Sequence, residues 1–147
     1  KSLIFIISFL TFIAIIFVSY KLYEKNENNM LSEKFIKAGI MLSLDDKQKS
    51  KELYKEIIIA KSKFYSILSL NNILEHNLIE NTAEVIELFN KIEDIKTSKE
   101  NMELIKLKKA LYYKKIFDDK KGNELLEEIV SEGSIWKDAA IEALTNR

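Results

Sequence analysis

The chain has no cysteine and no proline, and it carries three glycines, one histidine and one tryptophan in 147 residues. Without cysteine it forms no disulfide and offers no thiolate to a metal ion. Without proline, and with Gly39, Gly122 and Gly133 far apart, it lacks the punctuation that β-hairpins and phosphate-cradling loops require. It also lacks an excess of charge of either sign, since 23 basic and 23 acidic side chains cancel and Lys and Glu alternate at short range. A phosphate-binding surface needs a clustered basic excess, so nucleic acid is not an expected partner. These absences point to an all-α chain.

What is present first is an apolar run. Residues 2–20 carry no charge, and between Leu3 and Val18 only Ser8 and Thr11 interrupt the hydrophobic side chains. As a helix this run is about 29 Å long, close to the roughly 30 Å of a bilayer's hydrocarbon core. A cleaved signal would be shorter and end at small residues, whereas this segment leaves through Phe17, Val18, Ser19, Tyr20 and Lys21. A core helix would show polar positions near a 3.6 period, and here there are two hydroxyls that bond their own backbone. Residues 1–20 are therefore predicted to be a transmembrane anchor contacting lipid through residues 2–20, and Tyr20 and Tyr23 sit where an interfacial aromatic belt belongs. Lys1 on one side and Lys21 and Lys25 on the other leave both orientations open to the charge rule.

After the anchor, residues 21–33 read as a helical juxtamembrane linker and residues 34–147 as a helical domain. The first helix is expected to stop near Leu44, the next to cover residues 46–60, and a third residues 62–77. Asn81 or Thr82 caps a fourth, Thr97 and Glu100 frame a capping box for a fifth, Asp118 and Asp119 end that one, and two more cover residues 123–131 and 135–144. These segments repeat. Ala38, Ile73 and Ala110 hold one place in three first helices, and Leu53, Leu88 and Leu125 hold one place in three second helices, at offsets of 35 and 37. Phe35, Leu70 and Leu107 keep the register ahead, as do Ile57, Ile92 and Ile129 behind. Two helices per unit at this period predict tetratricopeptide-like helical hairpins stacked as an α-solenoid.

An N-terminal anchor, a charged helical exit, repeats of this length and the tract Gly133-Ser-Ile-Trp136-Lys-Asp-Ala139-Ala140-Ile-Glu142 resemble the YfgM-like ancillary subunits of the bacterial Sec translocon. In that family a Pro-Trp-Arg tract followed by Ala and Glu begins a late helix. Here Trp136, Ala140 and Glu142 fit, while Ile135 and Lys137 replace the proline and arginine. The resemblance implies a single-pass protein of the bacterial inner membrane with its repeat domain in the periplasm. Its implied partners are translocon subunits, a periplasmic chaperone and client polypeptides, and its implied role is assistance in secreted-protein passage or chaperone handover.

Catalytic chemistry finds no footing in the sequence. His76 is the sole histidine, no serine sits in a nucleophile elbow, and the carboxylate pairs Asp45-Asp46, Asp118-Asp119 and Glu127-Glu128 read as caps or solvated faces. The chain is not read as an enzyme, and no catalytic, cofactor or metal site is assigned. A partner-binding groove is expected instead where the repeat offsets align exposed residues of the first helices. Lys34 aligns with Ser69 and Lys106, Lys37 with Asn72 and Lys109, and Met41 with His76 and Tyr113. The groove predicted from these is Lys37, Asn72, His76, Lys106, Lys109 and Tyr113, polar and mildly basic, suited to a peptide or an acidic protein segment. The other function class compatible with the sequence is a structural accessory subunit of another membrane complex, assembled through the apolar helix.

Overall fold

The computed structural model describes residues 2–145, with side chains described from Phe12 onward apart from those of Tyr20, Tyr23 and Glu24. Among the described residues there are seven α-helices and no strand. They are α1 (Ser2–Ser43), α2 (Lys47–Ile59), α3 (Tyr65–Glu75), α4 (Thr82–Glu93), α5 (Lys99–Lys115), α6 (Asp119–Ser131) and α7 (Lys137–Thr145). The chain is all-helical, an architecture compatible with a helical-repeat fold. Helices adjacent in sequence pack on one another, most extensively α1 on α2 and α5 on α6.

The aligned positions carry the core. Ala38, Ile73 and Ala110 are 0 to 1 % exposed, and Ile57, Ile92 and Ile129 are fully buried. Leu53 and Leu88 are buried at their shared place, whereas Leu125 is half-buried because its neighbour Leu126 takes the inward position in α6. One cluster joins α1 to α4 and reaches Ile105 of α5, while a second joins Leu107 and Ala110 of α5 to Leu126, Ile129 and Ala140. Helix α5 is thus buried on two sides. Gly122 lets α6 approach it, since a Cβ there would lie 2.7 Å from Lys114 Cγ and 3.1 Å from the Ala110 carbonyl oxygen. The nine-residue α7 is too short to persist alone. Lys114 Nζ donates to the Ala143 carbonyl at 2.5 Å, and Ser134 Oγ donates to the buried Glu103 carboxylate at 2.7 Å.

Helix α1 has 42 residues, about 63 Å of helix, and enters the core only at Leu31, three residues before the expected start of the repeat domain. The anchor expected over residues 1–20 lies, for its first half, outside the residues whose side chains are described. Among the described residues no helix is long and apolar enough to cross a membrane. Within α1, Phe12, Ile13, Ile15, Ile16, Phe17 and Val18 are 46 to 63 % exposed.

Helix boundaries follow side-chain caps. Asp46 accepts from Lys49 N, Asn81 from Ala83 N and Glu84 N, and Ser98 from Asn101 N. Ser98, one residue past the expected Thr97, is the cap of α5. Asp118 and Asp119, expected to end the fifth helix, instead open the sixth: Asp118 accepts from Lys121 N, so α6 begins four residues earlier than the periodicity suggests. Five helices end in a left-handed residue, Asp45, Lys61, Asn77, Phe117 or Gly133, with φ between 47° and 64°. After four of them the next N–H reaches back to close the turn, as from Asp46 N to Met41 O at 2.9 Å and Asp118 N to Tyr113 O at 2.9 Å. Four of these five residues are not glycine, and each pays about 1 kcal/mol in backbone strain. Phe117, 93 % exposed, gains no packing in return. Phe117→Gly is expected to stabilise the chain by about 0.5–1 kcal/mol and Gly133→Ala to destabilise it by about 1 kcal/mol. Thermal unfolding followed by circular dichroism checks this, and shifts of the same sign for both variants would refute it.

Candidate functional site

An open cleft of ≈ 440 Å³ lies between α3 and α5. Asn71, Leu74 and Glu75 line it from α3, and Lys108, Leu111, Tyr112 and Lys115 from α5. The α5 residues are spaced i, i+3, i+4, i+7, so one helical face presents them all. The floor is apolar. Tyr112 packs its ring 5.9 Å from that of the buried Phe89, and burial raises its phenol pKa above the ordinary 10.0. Leu111 is 44 % exposed and free to meet a ligand. The rim is polar: Lys115 Nζ donates to Asn77 Oδ1 at 2.7 Å, and Lys108 makes no ion pair among the described residues. Asn71 Oδ1 is buried and finds no donor among the described residues.

This arrangement suits a short protein segment. An apolar side chain fits over Leu74, Leu111 and Tyr112, and a carbonyl or carboxylate can reach Lys108. Glu75 disfavours a segment with more than local negative charge at its own side of the rim. Among the described residues no cluster of histidine, aspartate or glutamate is placed to hold a metal ion.

Of the six residues predicted to form the groove, Lys106, Lys109 and Tyr113 share the face of α5 turned to α4 and α6, and among the described residues no contact joins Lys37, Asn72 or His76 to them. Lys106 is turned to α6, 3.3 Å from Glu128 and 3.0 Å from Glu132. Lys109 is turned to α4, where Asn90 and Glu93 each accept at 2.8 Å. Lys34, in the same row as Lys106, pairs with Glu56 of α2 at 2.7 Å, and Ser69 in that row is fully buried. Tyr113 lies under Lys121, whose ammonium is 5.3 Å from the ring centroid, in a shallow pocket between α4 and α6. Asn72 donates to the Leu68 carbonyl at 3.0 Å, His76 caps the C-terminus of α3, and Lys37 stands exposed on α1. The cleft uses their immediate neighbours Asn71, Lys108 and Tyr112. One residue is a rotation of about 100°, enough to turn a side chain from a solvent groove to an adjacent helix.

No protein-family model, curated protein or solved structure matches the chain.

On the far side of α5 the Lys106 bridge has a readable pH dependence. Burial lowers the proton affinity of its amine, but bonds to Glu132 and Glu128 outweigh this and hold its pKa above the ordinary 10.5. Because the folded value is raised, the bridge's stabilisation is complete below the ordinary value and is lost as pH rises through the folded one. At a partly exposed site it contributes roughly 0.5–1 kcal/mol. Lys106→Met is expected to lose that amount at neutral pH and to show a correspondingly shallower decline in stability at alkaline pH. Chemical denaturation across that range checks it, and an unchanged alkaline slope would count against the bridge.

Proposed function

We propose that the chain is a membrane-anchored protein–protein interaction scaffold, held by residues 2–20 in a bilayer and presenting its tetratricopeptide-like hairpin stack to protein partners in an aqueous compartment. The observation that carries this reading is the side-chain exposure along α1. Residues 12–18 are all apolar and exposed around the whole helix, well ahead of the first buried residue, Leu31. A helix that is apolar on every side is at home only in an apolar surrounding, and lipid supplies one without a dedicated protein partner. The α3/α5 cleft supplies the recognition surface, and its apolar floor and mixed polar rim fit peptide segments better than small metabolites.

The resemblance to YfgM-like subunits gives this scaffold its setting: an ancillary subunit of the Sec translocon in a bacterial inner membrane, with the hairpin stack in the periplasm and translocon subunits, a chaperone or client polypeptides as partners. Trp136, the residue on which that resemblance turns, donates from Nε1 to the Glu100 carbonyl at 3.3 Å and so helps seat α7 on α5.

Photo-crosslinking residues placed at Leu111 and Tyr112 in intact membranes should capture protein partners, and one placed at Lys37 should not. Leu111→Asp combined with Lys108→Glu should lower capture at Tyr112 by about tenfold or more, equivalent to about 1.4 kcal/mol. The doubly substituted chain should still resist alkaline extraction from the membrane. Undiminished capture would remove the cleft from the proposal, and release of the unsubstituted chain by alkaline extraction would remove the anchor.

A further inference from the structure

Helix α1 joins the hairpin stack by one side only. Leu31, Phe35, Ala38 and Leu42, at i, i+4, i+7 and i+11, turn one face of it into the core. The side turned away from them is exposed, and its residues recur in alternating steps of three and four. Phe12, Ile15, Ser19 and Leu22 form its first part, Asn26, Asn29 and Glu33 its middle, and Ile36, Ile40 and Ser43 its end. That alternation is the a and d pattern of a heptad, held over residues 12–43. Phe12, Ile15, Leu22, Ile36 and Ile40 stand 50 to 63 % exposed on it. Of the seven charged residues from Lys21 to Ser43 (Lys21, Glu24, Lys25, Glu27, Glu33, Lys34 and Lys37), Glu33 alone falls there. The stripe thus avoids charge on the exposed side of the helix, as a helix-pairing seam does.

We infer that α1 pairs in parallel with the α1 of a second copy of this chain along this stripe, from the bilayer into the aqueous domain. This rests on the proposed anchor. Lipid does not cover the far part, because Ile36 and Ile40 stand about 24 and 30 Å beyond Tyr20, well past a headgroup layer of about 5–8 Å. Three features favour a second copy over an unrelated helix. An asparagine amide is both donor and acceptor, so Asn26 and Asn29 can each bond the same residue across a two-fold axis, and asparagine in such a seam fixes register and strand number. Anchors entering one bilayer in one sense hold their α1 helices parallel and at one height. Contact between the spanning parts then makes the meeting of Ile36 and Ile40 with their counterparts an intramolecular event. A helix pair about 48 Å long and 10 Å wide also covers about 1,000 Å² over both copies, the lower bound of a specific interface. Glu33 opposes the pairing, since like charges meet at its place. Lys37, one turn further on and without an ion pair among the described residues, stands beside it to offset that charge.

The chain has no cysteine, so an introduced one can form a disulfide only with its own copy. The full chain carrying Asn29→Cys, Ile36→Cys or Ile40→Cys is reconstituted at low density in phosphatidylcholine vesicles and oxidised with copper phenanthroline. Each should give a disulfide-linked dimer. Glu27→Cys, which faces the loop at residues 60–64, should not, and neither should Phe117→Cys, which is 93 % exposed and reports random collision. Ile36→Asp with Ile40→Asp should lower cross-linking at Asn29→Cys about tenfold or more, and Glu33→Leu should strengthen dimerisation about tenfold, a gain that misfolding does not imitate. Cross-linking at Ile36→Cys and Ile40→Cys no greater than at Phe117→Cys, or unmoved by Glu33→Leu, overturns the pairing. Disulfides joining Leu22→Cys chains to Ile40→Cys chains overturn its parallel sense. Lys37 flanks the seam, so a photo-crosslinker there in intact membranes should add the mass of this chain and no other, and a foreign protein in its place overturns the second copy as occupant. Flotation separates this inference from the anchor: a chain that floats with the vesicles without cross-linking keeps the anchor and loses the pair, and one that does not float loses both.

Discussion

Burial of one stripe per helix is the constraint on which this chain depends. With three glycines and no proline it builds helices and little else, and a single hairpin leaves much of each apolar stripe wet. The stack solves this by sharing. Ile57, Ile92 and Ile129 are each fully buried, and truncating a buried isoleucine costs about 2–5 kcal/mol. The cross-helix ion pairs, such as Lys34 with Glu56 or Lys55 with Glu84, sit at partly exposed sites worth at most about 1 kcal/mol each. The apolar repeat therefore sets the register, and the ion pairs decorate it. Helix α5 shows the consequence most clearly, since it gives Ile105 to one cluster and Leu107 and Ala110 to the other, and so ties the first two hairpins to the third and to α7.

That division explains what could be read from the sequence. Offsets of 35 and 37 are properties of the buried stripe, and the residues they align are the buried ones. The cleft lies one position from the predicted groove residues on α3 and α5, because the offsets fix which residues are equivalent without fixing the angle at which each helix faces its neighbours. Lys106 and Lys109 are chemically suited to a groove, but a lysine beside a second helix rich in glutamate is drawn to Glu128, Glu132 or Glu93. The signal for the cleft is the second, weaker stripe on α5, Lys108, Leu111, Tyr112 and Lys115, which the stronger buried stripe masks. The start of α6 was misplaced for a related reason. An acidic pair reads equally well as the end of one helix or the cap of the next, and the choice was made by Phe117 adopting the left-handed conformation just before Asp118.

Helix ends bring a further consequence. A chain poor in glycine must close its helices with whatever residue follows, and here Asp45, Lys61, Asn77 and Phe117 take that place. Asp and Asn tolerate it through local hydrogen bonding, whereas lysine and phenylalanine gain nothing of the kind. The strain is affordable because each turn is short and its backbone bonds are made. It leaves the loops tightly specified in a protein whose helices alone would permit several arrangements.

The two ends of the stack and its flank are then separable surfaces. Helices α3 and α5 both run away from the loops that follow α2 and α4, and the cleft lies in their later turns, between Asn71 and Glu75 on one and Lys108 and Lys115 on the other. From Lys99 at the start of α5, these α5 positions are about 14 to 24 Å further along the helix. The cleft therefore lies well away from the loops that follow α2, α4 and α6. The same repeat that buries the core thus sets the cleft apart from those loops along the length of a helix.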